Sequence, residues 1–153
     1  MFTASGNEKE ENRFKGGTIF EDMTTGKTFI WFQVSLGAEE TLLAKACFER
    51  ESALSGVKIK HYHTENGVFT TQSFIDEVYK SDQRITFSGV STHHQNGVAE
   101  RAIGTVMGKS RMQLLHAQLR WSEQTPTSLW PMSVNHAVYL CNILPAKETG
   151  MSA

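Results

Sequence analysis

A chain of 153 residues and 17.1 kDa fits one domain and can bury a core without help from disulfides or a structural metal. With 39% hydrophobic and 20% charged residues, its composition excludes a wholly disordered or fibrous protein. A net charge of -1 and a pI near 6.6 exclude the broad basic footprint of a domain that grips nucleic acid mainly through phosphates, so any such grip has to be local.

Residues 1–15 read as a mobile N-terminal segment, polar and charged from Glu8 to Lys15, and Gly16-Gly17 opens the first clear β pattern. Thr18 to Met23 and Thr28 to Val34 are rich in β-branched and aromatic residues around the turn Thr24-Thr25-Gly26-Lys27, which predicts a hairpin. From Ala38 to Leu54, Leu42, Leu43, Ala46, Cys47, Phe48 and Leu54 recur at helical spacing, acids lead, and Gly56 ends the run. Val57 to Tyr62 alternates apolar with basic residues, as a strand with one buried face does, and Thr64-Glu65-Asn66-Gly67 breaks it.

A short helix over Ser73 to Lys80, with Phe74, Ile75 and Val78 inward, precedes a strand over Arg84 to Phe87. Ser88 to Asn96 reads as a flexible loop before a helix from Gly97 to about Leu119. A last helix, about Ser128 to Leu144, buries Leu129, Trp130, Val134, Val138 and Leu140 or Cys141, and Pro145 stops it. A hairpin followed by alternating helices and strands implies an α/β fold: one mixed sheet with helices on both faces. Cys47 and Cys141 lack motif spacing and read as buried free thiols of a reducing compartment. The start of the chain lacks the apolar core of a signal peptide and no later run approaches a membrane span, so the protein reads as soluble.

Two carboxylates fall where chemistry is expected: Glu65 just past a strand, Glu100 in the first turn of a helix. Converging at one sheet end, they could hold magnesium, a hard cation suited to phosphoryl transfer. Among 16 acidic residues such pairs also arise by chance, and spacing alone leaves two unrelated surface glutamates as the alternative. His61, His63, His93 and His94 raise zinc, but adjacent His93 and His94 do not share a face and a loop is a poor scaffold for a closed site. Positive charge gathers at Lys58, Lys60, His61 and His63, and again at Arg101, Lys109, Arg111, His116 and Arg120, where a solvated helix face is the plain reading. Trp31, Trp121 and Trp130 have apolar neighbours and read as core.

HTENGVF at 63–69 and HHQNGVAERAIGTV at 93–106 resemble two signature segments of copia-type retrotransposon integrases, and LWPMSVNHAVYLCNILPAKETG, from Leu129 to Gly150, resembles the helix and Asn-x-x-Pro ending that follow them. The resemblance covers residues 16–150 and implies a ribonuclease-H-like core of a retrotransposon polyprotein that cuts and joins DNA with three acids and magnesium or manganese. Glu100 maps onto the family glutamate, 35 positions after Glu65. The implied partners are transposon-end and target DNA and further copies of the chain, with no membrane; the location is left open, with the nucleus implied only for an active enzyme. Gln95, Asn96 and Lys109 are the implied DNA contacts, with loop polarity and helix solvation as the alternative.

Two departures from the family pattern imply impaired catalysis. Glu65 stands where the family has aspartate, and its extra methylene shifts the carboxylate by roughly a bond length in a site whose metal tolerates little error. The family's first aspartate lies on a strand before Gly16, and nothing upstream supplies it; Met1-Phe2-Thr3-Ala4 is the candidate remnant of that strand. Asp22 falls on the following strand and is not assigned. An inactive remnant that binds nucleic acid weakly or pairs with other copies is the alternative. A ribonuclease H would share the fold, but the Leu129 to Gly150 ending argues against it.

Overall fold

The computed structural model of the chain describes residues 2–3, 14–89, 97–125, 127–144 and 152. The strands are β1 (Phe2–Thr3), β2 (Gly16–Glu21), β3 (Thr28–Gln33), β4 (His61–Thr64) and β5 (Arg84–Phe87); the helices are α1 (Ala38–Leu54), α2 (Gln72–Lys80), α3 (Gly97–Arg120) and α4 (Trp130–Ile143). The α/β class and the flanking helices are as the sequence implies. No described helix is long and apolar enough to cross a membrane.

β2 and β3 pair antiparallel from Gly16↔Gln33 to Glu21↔Thr28. Asp22 closes their turn: its backbone N–H donates to the Lys27 carbonyl at 2.9 Å, and its carbonyl accepts from Gly26 N–H at 2.8 Å. Gly26 sits at φ 75°, a left-handed conformation that a side chain would strain. Alternation along the hairpin divides the core. Ile19, Ile30 and Phe32 pack with Val106 of α3 and Val134, Ala137 and Val138 of α4. Phe20, Phe29 and Trp31 face the other way, onto Phe48 of α1, Tyr62 of β4 and Phe74 of α2. The hairpin is thus sandwiched between α3–α4 and α1–α2.

Three details differ from the sequence reading. The buried stripe of α1 is Thr41, Ala44, Lys45 and Phe48, while Leu43 and Leu54 are exposed. The facing elements select it. Thr18 Oγ1 donates to Gln33 Oε1 at 2.9 Å and Gln33 Nε2 donates to Thr41 Oγ1 at 3.3 Å, while Lys45 reaches the Glu49 carboxylate at 2.9 Å. β4 starts at His61, not Val57, because Ile59 loses its ladder partner to a side chain: Gln83 Nε2 donates to the Ile59 carbonyl at 3.1 Å. Trp121 is more than half exposed, with the Arg120 guanidinium 5.7 Å over its ring.

The expected single sheet is divided. Among the described residues β1, β2 and β3 form one sheet and β4 and β5, parallel, another. β1 covers only Gly17 and Gly16 of β2, through Phe2↔Gly17 and Thr3↔Gly16. The edge of β2 beyond Gly17 and the edge of β4 away from β5 carry no strand among the described residues. The described part of the first strand is the two residues of β1.

The Asn-x-x-Pro ending supplies a clamp. Asn142 Oδ1 accepts from Thr28 N–H at 2.9 Å and its Nδ2 donates to the Thr28 carbonyl at 2.8 Å, so the amide acts as one residue of a strand and ties α4 to the start of β3. Thr28 is buried, and removing the amide would leave its backbone unpaired. Asn142→Ala is expected to cost about 1–3 kcal/mol, read as a shift in urea midpoint without a change in slope.

Candidate functional site

Glu65 leaves β4 directly after Thr64, and the next two residues fix its position. Asn66 Nδ2 donates to the Ser88 carbonyl at 3.2 Å, tying the turn to the end of β5. Gly67 adopts φ 116°, ψ -131°, a conformation in which a side chain is strained. Its carbonyl accepts from Thr70 Oγ1 at 2.7 Å as the chain enters a 3-10 turn, Val68–Thr70. Asn-Gly after Glu65 is thus a geometric requirement of the turn.

Glu100 lies in the first turn of α3, where the helix dipole favours an acid. Glu65 and Glu100 line one cleft of about 360 Å³, walled by β2, β4 and the start of α3, with Phe48 and Phe69 also lining it. Both strand edges left open in the divided sheet border this cleft. The structure therefore brings the two sequence-assigned acids to one place. Gln95 and Asn96 lie outside the described residues. Lys109 is half-buried on α3, its Nζ 3.3 Å from Cys141 Sγ of α4. Cys141 and Cys47 are free, and both are half-buried.

Glu21, which the sequence did not single out, lines the same cleft at the end of β2. Its Oε2 is buried with no hydrogen-bond partner among the described residues, as is Thr64 Oγ1 across the cleft. Burial pushes the Glu21 carboxyl above its ordinary range, against the charge of Arg101, which pulls it down. No signal in the sequence marks Glu21, because its burial comes from α3 packing across β2 some eighty positions later. A folded-state pKa above the unfolded one means a destabilising charge at neutral pH that vanishes below the unfolded value. Glu21→Gln is expected to raise the melting temperature at pH 7, with the gain fading as the pH falls through the ordinary glutamate range.

Asp22 lines the cleft too, but its carboxylate accepts from Thr25 Oγ1 at 2.7 Å and from Thr25 and Thr24 N–H at 3.1 and 3.3 Å. The Thr25 hydroxyl bond leads in holding its pKa below the ordinary value. Asp22 is a turn residue just past β2, where the sequence reading had put it on the strand. The histidines of β4 are held by β5: His61 Nε2 and His63 Nδ1 each lie 2.9 Å from Thr86 Oγ1. His93 and His94 lie outside the described residues.

Magnesium needs several oxygen ligands in near-octahedral geometry, and zinc needs three or four protein groups. Among the described residues no group of three or more Asp, Glu, His or Cys is placed to share an ion. The described residues do not make up a complete metal site.

The fold is shared with solved structures. The HTLV-2 integrase catalytic core domain in complex with magnesium, in its trimeric form, superposes with a TM-score of 0.64 at 17% identity, over 97% of this chain and 87% of that one. Its dimeric form gives 0.62 at 18% identity, over 92% and 83%. A chain of the simian T-cell lymphotropic virus intasome, in complex with a PP2A regulatory subunit, gives 0.63 at 16% identity over 82% of this chain and 41% of that one. This is the fold of an integrase catalytic core. No protein-family profile matches the chain. No curated protein matches it either.

Proposed function

We propose that this chain is the core domain of a retrotransposon integrase of the copia type, that its cleft holds DNA, and that strand transfer is impaired in the chain as it stands. The observation that carries the reading is the meeting of Glu65 and Glu100 in one cleft of an integrase-core fold. Positions 35 apart in sequence, one past a strand and one at a helix start, line the same cleft, which supports the reading. Gln95, Asn96 and Lys109 would contact the DNA, Lys109 after releasing Cys141.

Impairment is supported by the acids that are present. Glu65 carries one methylene more than the aspartate of the family pattern, Asp22 is committed to its turn, and no third ligand group accompanies Glu65 and Glu100 among the described residues. The same observation favours a second reading, an inactive remnant that binds nucleic acid weakly or pairs with other copies. Met112, Leu115, Leu119, Met132 and Tyr139, exposed on α3 and α4, suit such pairing.

A strand-transfer assay with magnesium and with manganese tests the proposal. The unmodified chain is expected to bind the DNA and give no product. Glu65→Asp together with an N-terminal extension that continues β1 and carries an aspartate is expected to recover product, and adding Glu100→Gln to abolish it again. Product from the unmodified chain would overturn the impairment; recovery that survives Glu100→Gln would overturn the site.

A further inference from the structure

A second groove, of about 700 Å³, opens where β4 and β5 begin, and Lys58, Lys60, His61, Tyr79 and Arg84 line it. Asp82 is the one acid among its lining residues. None of Lys58, Lys60 and Arg84 belongs to an ion pair among the described residues, where the ion pairs are Lys45–Glu49 and Lys80–Glu77. The ladder itself gathers them: Arg84 N–H donates to the Lys60 carbonyl at 2.9 Å, and Arg84 is the register partner of His61. Three unpaired cations against one acid, in a chain of net charge -1, make this a local site for a polyanion.

Two further features narrow the ligand. Tyr79 is 63% exposed in the groove wall, an aromatic face open for stacking. A base can stack there only when it has left a duplex, so the pairing of cations with an aromatic suits a single strand. His61 lines both this groove and the Glu65–Glu100 cleft, so the two adjoin at that residue.

We propose that this groove binds a single-stranded DNA flank, with its phosphates on Lys58, Lys60 and Arg84 and a base on Tyr79, and that the strand passes His61 into the carboxylate cleft. The inference rests on the DNA reading above and adds to it a second site that adjoins the cleft at His61.

The test is fluorescence anisotropy of the full chain with a labelled oligothymidylate of about 16 nucleotides, between roughly 50 and 200 mM salt. Lys58→Gln, Lys60→Gln and Arg84→Gln together are expected to flatten the slope of log affinity against log salt by about 2, at about 0.7 per lost phosphate contact. Tyr79→Ala is expected to weaken binding at least about fivefold with the slope unchanged. Unchanged melting temperatures establish that the variants fold. If the wild type binds and the triple variant keeps both its affinity and its slope, the groove is wrong while the DNA reading stands. Duplex of the same length or polyglutamate binding as tightly as the single strand would overturn the assignment of ligand. Failure of the wild type to bind any DNA would overturn both.

Discussion

Glu49→Ala is expected to destabilise the protein by about 3–5 kcal/mol, because it strands a buried cation. Lys45 is 2% exposed, and its ammonium has the Glu49 carboxylate at 2.9 Å and the Tyr62 ring at 5.6 Å. Glu49 Oε1 also accepts from Tyr62 Oη at 2.8 Å and from Gln83 Nε2. One carboxylate therefore joins α1 to β4 and to the residue before β5, and its loss leaves three donors unanswered. Burial works to raise the Glu49 pKa, but the bonds from Gln83, Lys45 and Tyr62 and the Lys45 charge outweigh it, and the pKa lies below its ordinary value of 4.5. A lowered folded-state pKa gives stability that is full above the unfolded value and is lost as the pH falls through the folded one. Urea midpoints of the wild type should accordingly decline on the acid side of pH 4.5, while the Glu49→Ala series stays flatter there. Equal midpoints for the two proteins at pH 7 would show that the network holds nothing together. Burial and the neighbouring Glu49 push the Tyr62 phenol far above its usual range, so Tyr62 acts only as a donor in this network.

Phe74→Ala is expected to cost about 3–5 kcal/mol, the range for emptying a fully buried aromatic site. Phe74 is 0% exposed and meets Phe69 at 5.3 Å and Tyr62 at 6.5 Å, both edge-on, while Tyr62 meets Phe20 of β2 at 6.3 Å. These rings form the contact between the two sheets, which share no backbone ladder among the described residues. The loss should therefore exceed that of an equally buried valine such as Val78, and it should expose β4 amides to hydrogen exchange before those of the β2–β3 hairpin. A cost below about 1 kcal/mol would mean that the sheets are held by something else.

Local signals carried much of this. The bounds of α1 and β5 match the sequence reading, as does the start of α3, because caps, turns and periodicity are properties of neighbouring residues. Glu65 and Glu100 were legible because each sits at an element end that its own neighbours define: Asn66-Gly67 after one, the first turn of α3 around the other. Long-range partners were not legible. Neither Lys45, which Glu49 and Tyr62 enclose, nor Glu21, which α3 packs across, was singled out by the sequence. Neither the division of the sheet nor the adjoining of both open edges to the cleft was legible, because both depend on pairing between distant segments. Asn142 looked like a motif residue and turned out to be a backbone surrogate for Thr28, 114 positions away.

The proposed function requires DNA in the cleft between β2, β4 and the start of α3. Hydrogen exchange of the full chain with and without a DNA oligonucleotide tests it most directly. Protection is expected at the end of β4 through Gly67 and in the first turns of α3, with the β2–β3 turn following. DNA bound with no protection at either carboxylate segment, or with protection confined to the outer faces of α3 and α4, would contradict it.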